Sequence, residues 1–255
     1  MDNIKRVLSY TRRAVDDYNM IEDGDRVAVG ISGGKDSLTL LCALADLRRF
    51  YPKKFDLCAI TVDMGFSTPM DFSPIRALCD RLEVPYHVTS TEIAKIIFDV
   101  RKESNPCSLC AKMRRGSLHA AAVNAGCNKV ALGHHYDDAV ETFLLSLFYE
   151  GRLSCFQPVT YLSRMDVTQI RPMLYIGEKA VESFTRRQNL PVVENRCPAD
   201  KSTKRQEVKD LLAALQKQYP DLKTKIFGAM QRLPLPEWGP VNPPRGRSSV
   251  PQGEA

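Results

Sequence analysis

Short apolar runs rich in β-branched residues alternate with longer segments in which apolar residues recur every three or four positions. The runs at 27–31, 55–62, 86–89 and 129–132 predict buried strands, and the segments between them predict helices. Strands that alternate with helices are typical of an open parallel sheet with helices on both faces. The sequence therefore predicts an α/β fold, in which ligands bind beyond the carboxyl ends of the strands.

The chain is predicted to have three parts. Residues 1–22 carry the spacing of a basic amphipathic helix, and residues 23–232 hold the α/β domain, an irregular hairpin at 151–172 and further helices towards the C-terminal end. Residues 233–255 are rich in proline, glycine and serine and contain too few apolar residues for a core. We expect this tail to be disordered.

Composition narrows the class of protein further. A chain of 255 residues with 44% hydrophobic and 26% charged residues can form a sizeable core. No apolar run approaches the ~20 residues of a membrane-spanning helix, and the first residues lack the apolar stretch of a signal peptide. We expect a cytoplasmic protein without a membrane partner, whose eight cysteines are thiols, metal ligands or catalytic groups rather than disulfides. The net charge of +6 permits a polyanionic partner.

A glycine-rich loop separates the first predicted strand from the helix that follows it. Its two glycines let the backbone approach a ligand closely, and the amide groups at the start of the helix favour phosphate. The lysine adds a cation, and the serines add hydroxyl donors. The sequence therefore predicts a phosphate-binding loop that consists of Ser32, Gly33, Gly34, Lys35, Asp36 and Ser37.

The spacing distinguishes this loop from two commoner phosphate-binding motifs. A Walker loop has four residues between its glycines and a hydroxyl residue after its lysine, whereas three residues separate Gly30 from Gly34 and Asp36 follows Lys35. The dinucleotide-binding motif needs a third glycine, which this loop lacks. The Ser-Gly-Gly-Lys-Asp-Ser sequence instead resembles the pyrophosphate loop of the N-type ATP pyrophosphatases, which split ATP into AMP and pyrophosphate and adenylate a carbonyl oxygen.

Acidic residues follow two of the other predicted strands. Asp137 and Asp138 begin a helix after the fourth strand, where they could cap that helix or hold Mg²⁺ beside the phosphate loop. Asp63 comes directly after the second strand, where it could border a nucleotide or form a turn. His134 and His135 are interpreted as loop residues that pack the site rather than as metal ligands.

Three cysteines are candidate metal ligands. Cys107 and Cys110 form a C-x-x-C pair at the start of a predicted helix, and Cys197 lies in a basic loop before a proline. A lone C-x-x-C pair is compatible with a redox dithiol, half of a zinc site or part of an iron–sulfur site. Three cysteines suit a four-iron cluster in which one iron has no protein ligand and could carry an exogenous sulfide. The spacing by itself leaves zinc and structural thiols open.

The motifs occur together and in one order along the chain. The phosphate loop is followed by the helix start at 107–116, the acidic segment at 133–142, the Ile-Arg-Pro-Met sequence at 170–173 and the Arg-Cys-Pro sequence at 196–198. This combination resembles the tRNA 2-thiocytidine synthetase family, which belongs to the PP-loop superfamily with its adenine nucleotide α-hydrolase-like fold. The resemblance covers residues 1 to about 220. The related 2-thiouridine enzymes carry zinc fingers at both ends, and this chain has no cysteine before Cys42 or after Cys197, which favours cytidine.

The resemblance implies an ATP-dependent enzyme that exchanges an oxygen of tRNA for sulfur. The C2 oxygen of a cytidine, expected at position 32 of the anticodon loop, would be adenylated by ATP bound at the phosphate loop. Sulfide at the open iron of a [4Fe-4S] cluster would then attack C2, giving 2-thiocytidine, AMP and pyrophosphate. The cluster would be held by Cys107, Cys110 and Cys197.

The resemblance also implies roles for single residues and for partners. Asp36 and either Asp137 or Asp138 would position Mg²⁺, and Arg114, one helical turn beyond Cys110, would steady the activated base. The basic residues around 196–205 would contact phosphates of the tRNA. Further expected partners are a sulfur donor, such as a cysteine desulfurase, and a second copy of the chain in a homodimer.

Two other classes of function stay open from the sequence. One is an adenylating enzyme of the tRNA 2-thiouridine type or of the lysidine type, and the latter uses an amine and needs no cluster. The other is a non-enzymatic iron–sulfur sensor that binds RNA. Visible absorbance from iron–thiolate bonds would separate the lysidine type from thiocytidine synthesis, and tRNA-dependent release of pyrophosphate would exclude the sensor.

Overall fold

The computed structural model describes residues 3–101, 106–193 and 204–232. The strands in these ranges are β1 (Asp25–Gly30), β2 (Phe55–Asp63), β3 (Tyr86–Ser90), β4 (Lys129–Ala131), β5 (Val159–Leu162) and β6 (Val167–Ile170). The helices are α1 (Asn3–Asp17), α2 (Lys35–Arg48), α3 (Ser73–Arg81), α4 (Ile93–Lys95), α5 (Pro106–Asn124), α6 (Tyr136–Leu145), α7 (Glu178–Arg187), α8 (Lys204–Gln218) and α9 (Leu222–Arg232). α4 and α6 each continue into a π-helical turn, at Ile96–Val100 and Ser146–Glu150 respectively.

The six strands form one sheet in the order β3-β2-β1-β4-β6-β5. Every pair of neighbours is parallel except β5 and β6, which pair antiparallel at one edge. The predicted α/β class and parallel central strands are confirmed. The hairpin predicted at 151–172 contains β5 and β6. Its second strand, β6, pairs with β4, so the hairpin belongs to the main sheet.

Alternate residues of the central strands face two separate apolar layers, because side chains along a strand point to opposite faces. Val27 and Val29 of β1 pack in one layer, which includes residues of α1, α2, α3, α6 and α7. Ala28 packs in the other layer, which includes residues of α4 and α5. Helices therefore cover both faces of the sheet, as predicted, and the central strands are buried on both sides.

The C-terminal helices complete the first of these layers. Val208 and Leu212 of α8, and Phe227 and Met230 of α9, are buried in it. No helix in the part of the chain that the structure describes is long and apolar enough to cross a bilayer. The tail predicted at 233–255 lies outside the described residues.

The sheet order brings four loops to one edge. Because β1, β2, β4 and β6 run parallel, their carboxyl ends point the same way. The phosphate loop follows β1, the segment after Asp63 follows β2, the segment 132–135 follows β4 and Arg171 follows β6. This edge is where an open α/β sheet binds its ligands.

Candidate active site

The phosphate loop is held in shape by its own hydroxyl groups. Gly33 has a φ of +83°, which favours glycine, and Gly34 is the N-cap of α2. The Ser37 hydroxyl accepts a hydrogen bond from the Ser32 amide (3.2 Å) and donates one to the Gly34 carbonyl (3.0 Å). The result is a short loop whose amides lead into the positive end of a 14-residue helix, which suits a phosphate group.

Lys35 belongs to the loop but faces α7. Its Nζ lies 3.0 Å from Oδ1 of Asp36 and 3.3 Å from Oε1 of Glu178. Burial lowers the pKa of Lys35, but the two carboxylates outweigh that effect and raise its pKa above the ordinary value. The ammonium is therefore charged, and its role as a direct phosphate ligand stays a prediction.

A cavity of about 540 Å³ opens at this edge of the sheet. One wall is apolar, and its members come from the end of β2 and the segment after it: Ile60, Val62, Met64, Phe66, Met70 and Phe72. The rest of the lining includes most of the polar and charged side chains of the cavity: Ser32, Asp36, Ser37, Arg114, Arg115, His134, Asp138, Arg171 and Arg205. An apolar slot beside a phosphate loop and several cations matches the chemistry of a nucleotide, with a planar base and an anionic chain.

Gly133 brings the loop after β4 into contact with the phosphate loop. A Cβ at Gly133 would lie 3.0 Å from the carbonyl carbon of Asp36 and 3.1 Å from the amide nitrogen of Ser37. Only glycine fits there without displacing the start of α2. The residues that follow Gly133, including His134, are thereby held next to the phosphate loop.

The two aspartates that follow have different surroundings. Asp138 lines the cavity and completes a capping box with His135, in which its Oδ2 accepts from the His135 amide at 2.9 Å. Its Oδ1 lies 3.8 Å from Nη1 of Arg205, which also pairs with the buried Glu141 at 3.3 Å. Asp138 is thus available to the cavity, with an arginine beside it.

Asp137 is buried and is not among the residues that line the cavity. Its Oδ2 accepts from the amide of Glu178, the first residue of α7, at 2.7 Å. Its Oδ1 lies 2.6 Å from Nζ of Lys223 in α9. These contacts connect α6 to two other helices, so they provide a structural role for Asp137, and its predicted catalytic role stays a prediction.

Arg171 is a buried cation surrounded by neutral acceptors. It donates to Nδ1 of His134 (3.2 Å), to the Gln157 carbonyl and to Oγ1 of Thr160 (3.5 Å). Gln169 fits best with its side-chain oxygen accepting from Arg171 and its amide donating to His119. Burial lowers the pKa of Arg171 to about 10, so it stays charged at neutral pH, yet no carboxylate pairs with it among the described residues.

His134 lines the cavity between Arg171 and the phosphate loop. Its ring stacks on Phe156 with centroids 4.8 Å apart. Burial lowers its pKa to about 3, and the charges of Arg171 and Arg205 act in the same direction. His134 is therefore a neutral imidazole near neutral pH.

The C-x-x-C pair lies at the start of α5. Cys107 is in the first turn, and Cys110, partly buried, is one turn later. The next turn carries Arg114, which lines the cavity, and its role towards an activated base stays a prediction. Residues four apart share a helix face, so Cys110 and Arg114 lie on the same side of α5.

The third candidate, Cys197, and the side chain of Cys107 lie outside what the structure describes. Within the described residues, no three histidine, cysteine or acidic side chains converge on a metal-sized site. The described residues on either side of the 194–203 segment both lie at the cavity region. The Val193 amide donates to the Gly33 carbonyl at 3.0 Å, and Arg205 lines the cavity.

Asp63 closes a turn. Its Oδ1 accepts from the Gly65 amide at 3.1 Å, and its carbonyl accepts from the Thr91 hydroxyl at 2.7 Å. It is absent from the lining of the cavity, which instead includes its neighbours Val62 and Met64. Of the two roles that the sequence left open for Asp63, the structure shows the turn.

The sequence did not identify two parts of the cavity. The apolar wall after β2 was missed because scattered methionines and phenylalanines in a loop carry no spacing signal. Arg171 was noted only as part of the Ile-Arg-Pro-Met sequence, although an arginine between an apolar strand residue and a proline is a position where burial could have been suspected. Among its neutral partners, His134 lies 37 residues away in the chain, and this contact has no signal in the sequence.

Comparison with known proteins bears directly on this arrangement. A family model described as a PP-loop domain matches residues 7–215. The chain is 40% identical over 236 residues to a tRNA-cytidine(32) 2-sulfurtransferase of Geobacter sulfurreducens, which covers 90% of this chain and 91% of that protein. The chain belongs to this family. The family assignment that the motifs predicted is confirmed.

Two further similarities agree with that assignment. The tRNA-cytidine(32) 2-sulfurtransferase of Pelobacter propionicus is 38% identical over 232 residues, covering 90% of this chain and 86% of that protein. The U34-tRNA thiolase NcsA of Methanococcus maripaludis, solved with its [4Fe-4S] cluster, superposes with a TM-score of 0.72 at 25% identity. The superposition covers 88% of this chain and 76% of that one. The PP-loop fold is thus shared by a thiolase that acts on a different tRNA position.

Proposed function

We propose that this protein is an ATP-dependent sulfurtransferase that converts cytidine 32 of tRNA to 2-thiocytidine. The observation that carries the proposal is that one cavity is lined by the phosphate loop, an apolar slot and α5, the helix that begins with the C-x-x-C pair. Membership in the tRNA-cytidine(32) 2-sulfurtransferase family supports the choice of substrate and of position.

The C2 oxygen of cytosine is a poor leaving group, so the reaction begins by activating it. The C2 oxygen of cytosine attacks the α-phosphorus of ATP, the bond from that phosphorus to the β-phosphate oxygen breaks, and pyrophosphate leaves. The amides at the start of α2 would bind the departing pyrophosphate, in a loop whose shape the hydroxyls of Ser32 and Ser37 stabilise. The oxygen then departs as part of AMP.

Two carboxylates of the cavity suit Mg²⁺. Asp36 and Asp138 both line the cavity, and Mg²⁺ prefers one or two carboxylates together with phosphate and water oxygens. Bound there, the ion would offset charge on the phosphates. Asp137 is the weaker candidate because Glu178 and Lys223 already occupy both of its oxygens.

Three cysteines fit a [4Fe-4S] cluster with one iron free of protein ligands. Cys107 and Cys110 belong to the first turns of α5, which also lines the cavity, and of the described residues near the segment that contains Cys197, Val193 bonds to Gly33 and Arg205 lines the cavity. When bound, such a cluster supplies a coordination position for the sulfur atom that replaces the oxygen. Arg114 would hold the activated base at this side of the cavity.

The tRNA would approach from the cationic side of the cavity. Arg114 and Arg115 have no carboxylate partner among the described residues, and both line its wall. A base of a single-stranded loop can leave its stack and enter such a site. The sulfur donor, such as a cysteine desulfurase, a homodimeric state and a cytoplasmic location stay predictions.

The decisive experiment uses the protein purified without oxygen, an unmodified tRNA transcript, ATP, Mg²⁺ and sulfide. Mass spectrometry of the digested tRNA should show 2-thiocytidine at position 32, with one pyrophosphate released per sulfur inserted. A Cys197→Ser variant should lose iron–thiolate absorbance and thiolation while binding ATP normally. Cys79→Ala, a buried cysteine of α3, is the matched control and should keep all three.

Each alternative outcome has a distinct meaning. Thiolation by Cys197→Ser would overturn the ligand assignment. 2-Thiouridine as product would overturn the cytidine assignment. Incorporation of an amine without sulfur would indicate the lysidine type of enzyme, and absence of pyrophosphate release with an intact cluster would indicate a non-enzymatic sensor.

A further inference from the structure

His134 occupies a position between the phosphate loop and a buried arginine. On one side, Gly133 is in direct contact with the first residues of α2, so the next residue must lie beside the loop that binds phosphate. On the other side, Nε of Arg171 lies 3.2 Å from Nδ1 of His134. The ring itself lines the cavity and is stacked on Phe156.

The hydrogen bond to Arg171 determines the tautomer of His134. An arginine Nε–H can only donate, so Nδ1 of His134 must be the acceptor and carry no proton. A neutral imidazole has one N–H, which therefore lies on Nε2. Arg171 cannot rotate to relax this arrangement, because its other N–H groups bond to Gln157, Thr160 and Gln169.

The Nε2–H group has no partner among the described residues. Within the same residues, Thr11 Oγ1 is the one buried side-chain polar atom without a hydrogen bond, so Nε2 of His134 is not sealed in the protein. Since the ring lines the cavity, this donor is accessible from the cavity. The Nε2–H group of His134 is therefore held in a fixed position, and none of the described residues accepts its hydrogen bond.

The charge behind the ring indicates what the acceptor is. Arg171 is buried without a carboxylate partner among the described residues, and a second cation, Arg115, disfavours its charge further. A buried cation without a counterion is costly, and an anion in the cavity would supply the missing charge. The phosphate loop is next to His134, so the nearest anionic group of a bound ATP beyond the departing pyrophosphate is the α-phosphate.

We propose that His134 is a catalytic residue that donates its Nε2–H to a non-bridging oxygen of the α-phosphate during adenylation, with Arg171 as the positioning residue that fixes its tautomer. This inference rests on the proposed function. No proton is transferred by His134: the oxygen–phosphorus bond forms, the bond to pyrophosphate breaks, and the imidazole stabilises the added negative charge by hydrogen bonding alone.

The first test observes the tautomer directly, without catalysis. ¹⁵N NMR of the histidine-labelled protein distinguishes a protonated ring nitrogen from an unprotonated one, and the chain has four histidines, so loss of one signal set in His134→Gln assigns the resonances. His134 should show Nε2–H and bare Nδ1 from pH 5.5 to 8. The charged or titratable groups that act on it are Arg171, Arg205, His135 and Arg115, which all oppose protonation. Protonation of Nδ1 in this range would overturn the inference.

The second test adds ligands to the same sample. AMP and ATP should each change the chemical shift of the Nε2–H signal. Pyrophosphate alone and a tRNA anticodon stem-loop alone should leave that chemical shift at its value in the unliganded protein. A shift caused by the RNA alone would assign the acceptor to an RNA phosphate and overturn the α-phosphate assignment. ATP that binds without a shift would overturn this inference only, and failure of ATP to bind would overturn the proposed function as well.

The third test separates catalysis from structure with three variants. Gln places an amide N–H near the position of Nε2, whereas Asn reaches only the position of Nδ1. His134→Ala and His134→Asn should slow pyrophosphate release by about 10²–10³-fold, as for loss of a donor to a developing oxyanion, and His134→Gln should stay within about tenfold. ATP affinity should change by less than about threefold in all three. Equal loss in all three variants would indicate a structural role only.

Arg171 is tested through its effect on the ring. In Arg171→Met both neutral tautomers of His134 should appear in the ¹⁵N spectrum, because Nδ1 loses the donor that keeps it unprotonated. Pyrophosphate release by this variant should be slower than in the original protein, because the tautomer with a proton on Nδ1 has no Nε2–H to donate. An unchanged rate and an unchanged ¹⁵N spectrum would show that Arg171 does not position His134.

Discussion

At the scale of single residues, two adjacent aspartates of α6 have different surroundings. Asp137 and Asp138 are indistinguishable by type and spacing, yet one is buried against α7 and α9 and the other lines the cavity. The helix turns by about 100° between them, so their side chains point to different neighbours. No property of the sequence alone says which of the two faces the ligand.

This difference leads to opposite expectations for two isosteric changes. Asp137→Asn leaves the ammonium of Lys223 without its partner in a largely buried position, and should lower the free energy of unfolding by about 2–3 kcal/mol. Asp138→Asn keeps an oxygen to accept from the His135 amide, and should lower it by less than about 1 kcal/mol. Urea denaturation measures both values.

Activity should show the reverse order. Asp138→Asn should raise the Mg²⁺ concentration that half-maximal pyrophosphate release requires, whereas Asp137→Asn should leave that concentration unchanged in the fraction that is folded. If Asp137→Asn alone alters the Mg²⁺ requirement, the metal is held by Asp137 and the assignment to Asp138 is wrong.

At the scale of elements, the first turn of α7 connects the phosphate loop to the C-terminal helices. The Glu178 carboxylate forms ion pairs with Lys35 of the loop and with Lys209 of α8, and the Glu178 amide donates a hydrogen bond to Asp137 of α6. The loop, α6, α7 and α8 thus meet at Glu178. The position of the loop on the sheet depends on this junction as well as on its own hydrogen bonds.

Glu178 should make stability depend on pH in the acid range. Burial raises its pKa, but Lys209 and Lys35 outweigh that effect and lower the pKa from 4.5 to about 2. The folded state therefore binds this proton less readily than the unfolded chain, so the stabilisation is present above about pH 4.5 and is lost as pH falls towards 2. Glu178→Gln should cost about 1 kcal/mol at pH 6, a value discounted for solvent screening of the exposed Lys209.

Urea titrations at pH 6, 4 and 3 test this dependence. The difference between the original protein and Glu178→Gln should shrink steadily as pH falls. Glu182→Gln, an exposed acidic residue of the same helix, is the matched control and should show no such trend. A constant difference across the range would mean that the Glu178 carboxylate contributes through contacts that do not depend on its charge.

At the scale of the whole molecule, one sheet edge collects residues that are far apart in the chain. The phosphate loop follows β1, His134 and Asp138 follow β4, and Arg171 follows β6. The order of the strands places these ends side by side, and α5 closes the cavity from the other face. The cavity is therefore a property of the sheet order and not of any single motif.

The boundary of the folded part is expected after α9. A chain that ends at Arg232 should keep the melting temperature and the ATP affinity of the full chain. A chain that ends at Gln218 also loses the buried Phe227 and Met230, each of which contributes roughly 1.5–3 kcal/mol by burial, together with the partner of Asp137. That loss is a large part of the stability of an ordinary domain.

Calorimetry and nucleotide titration of both truncated chains provide the measurement. A large fall in melting temperature for the chain that ends at Arg232 would show that residues 233–255 are part of the core. An unaltered melting temperature for the shorter chain would show that the α9 side chains contribute little to folding.

The sequence by itself determined the α/β class, the parallel central strands, the phosphate loop and the family, because these depend on local patterns. Periodicity follows from the geometry of one strand or helix, and the Ser-Gly-Gly-Lys-Asp-Ser loop acts through neighbouring amides. The tertiary structure decided what depends on contacts between distant segments. It separated Asp138 from Asp137, turned Lys35 towards Glu178, and placed Arg171 behind His134, since the identity of a side chain's neighbours is set by how strands and helices pack and not by the residues beside it in the chain.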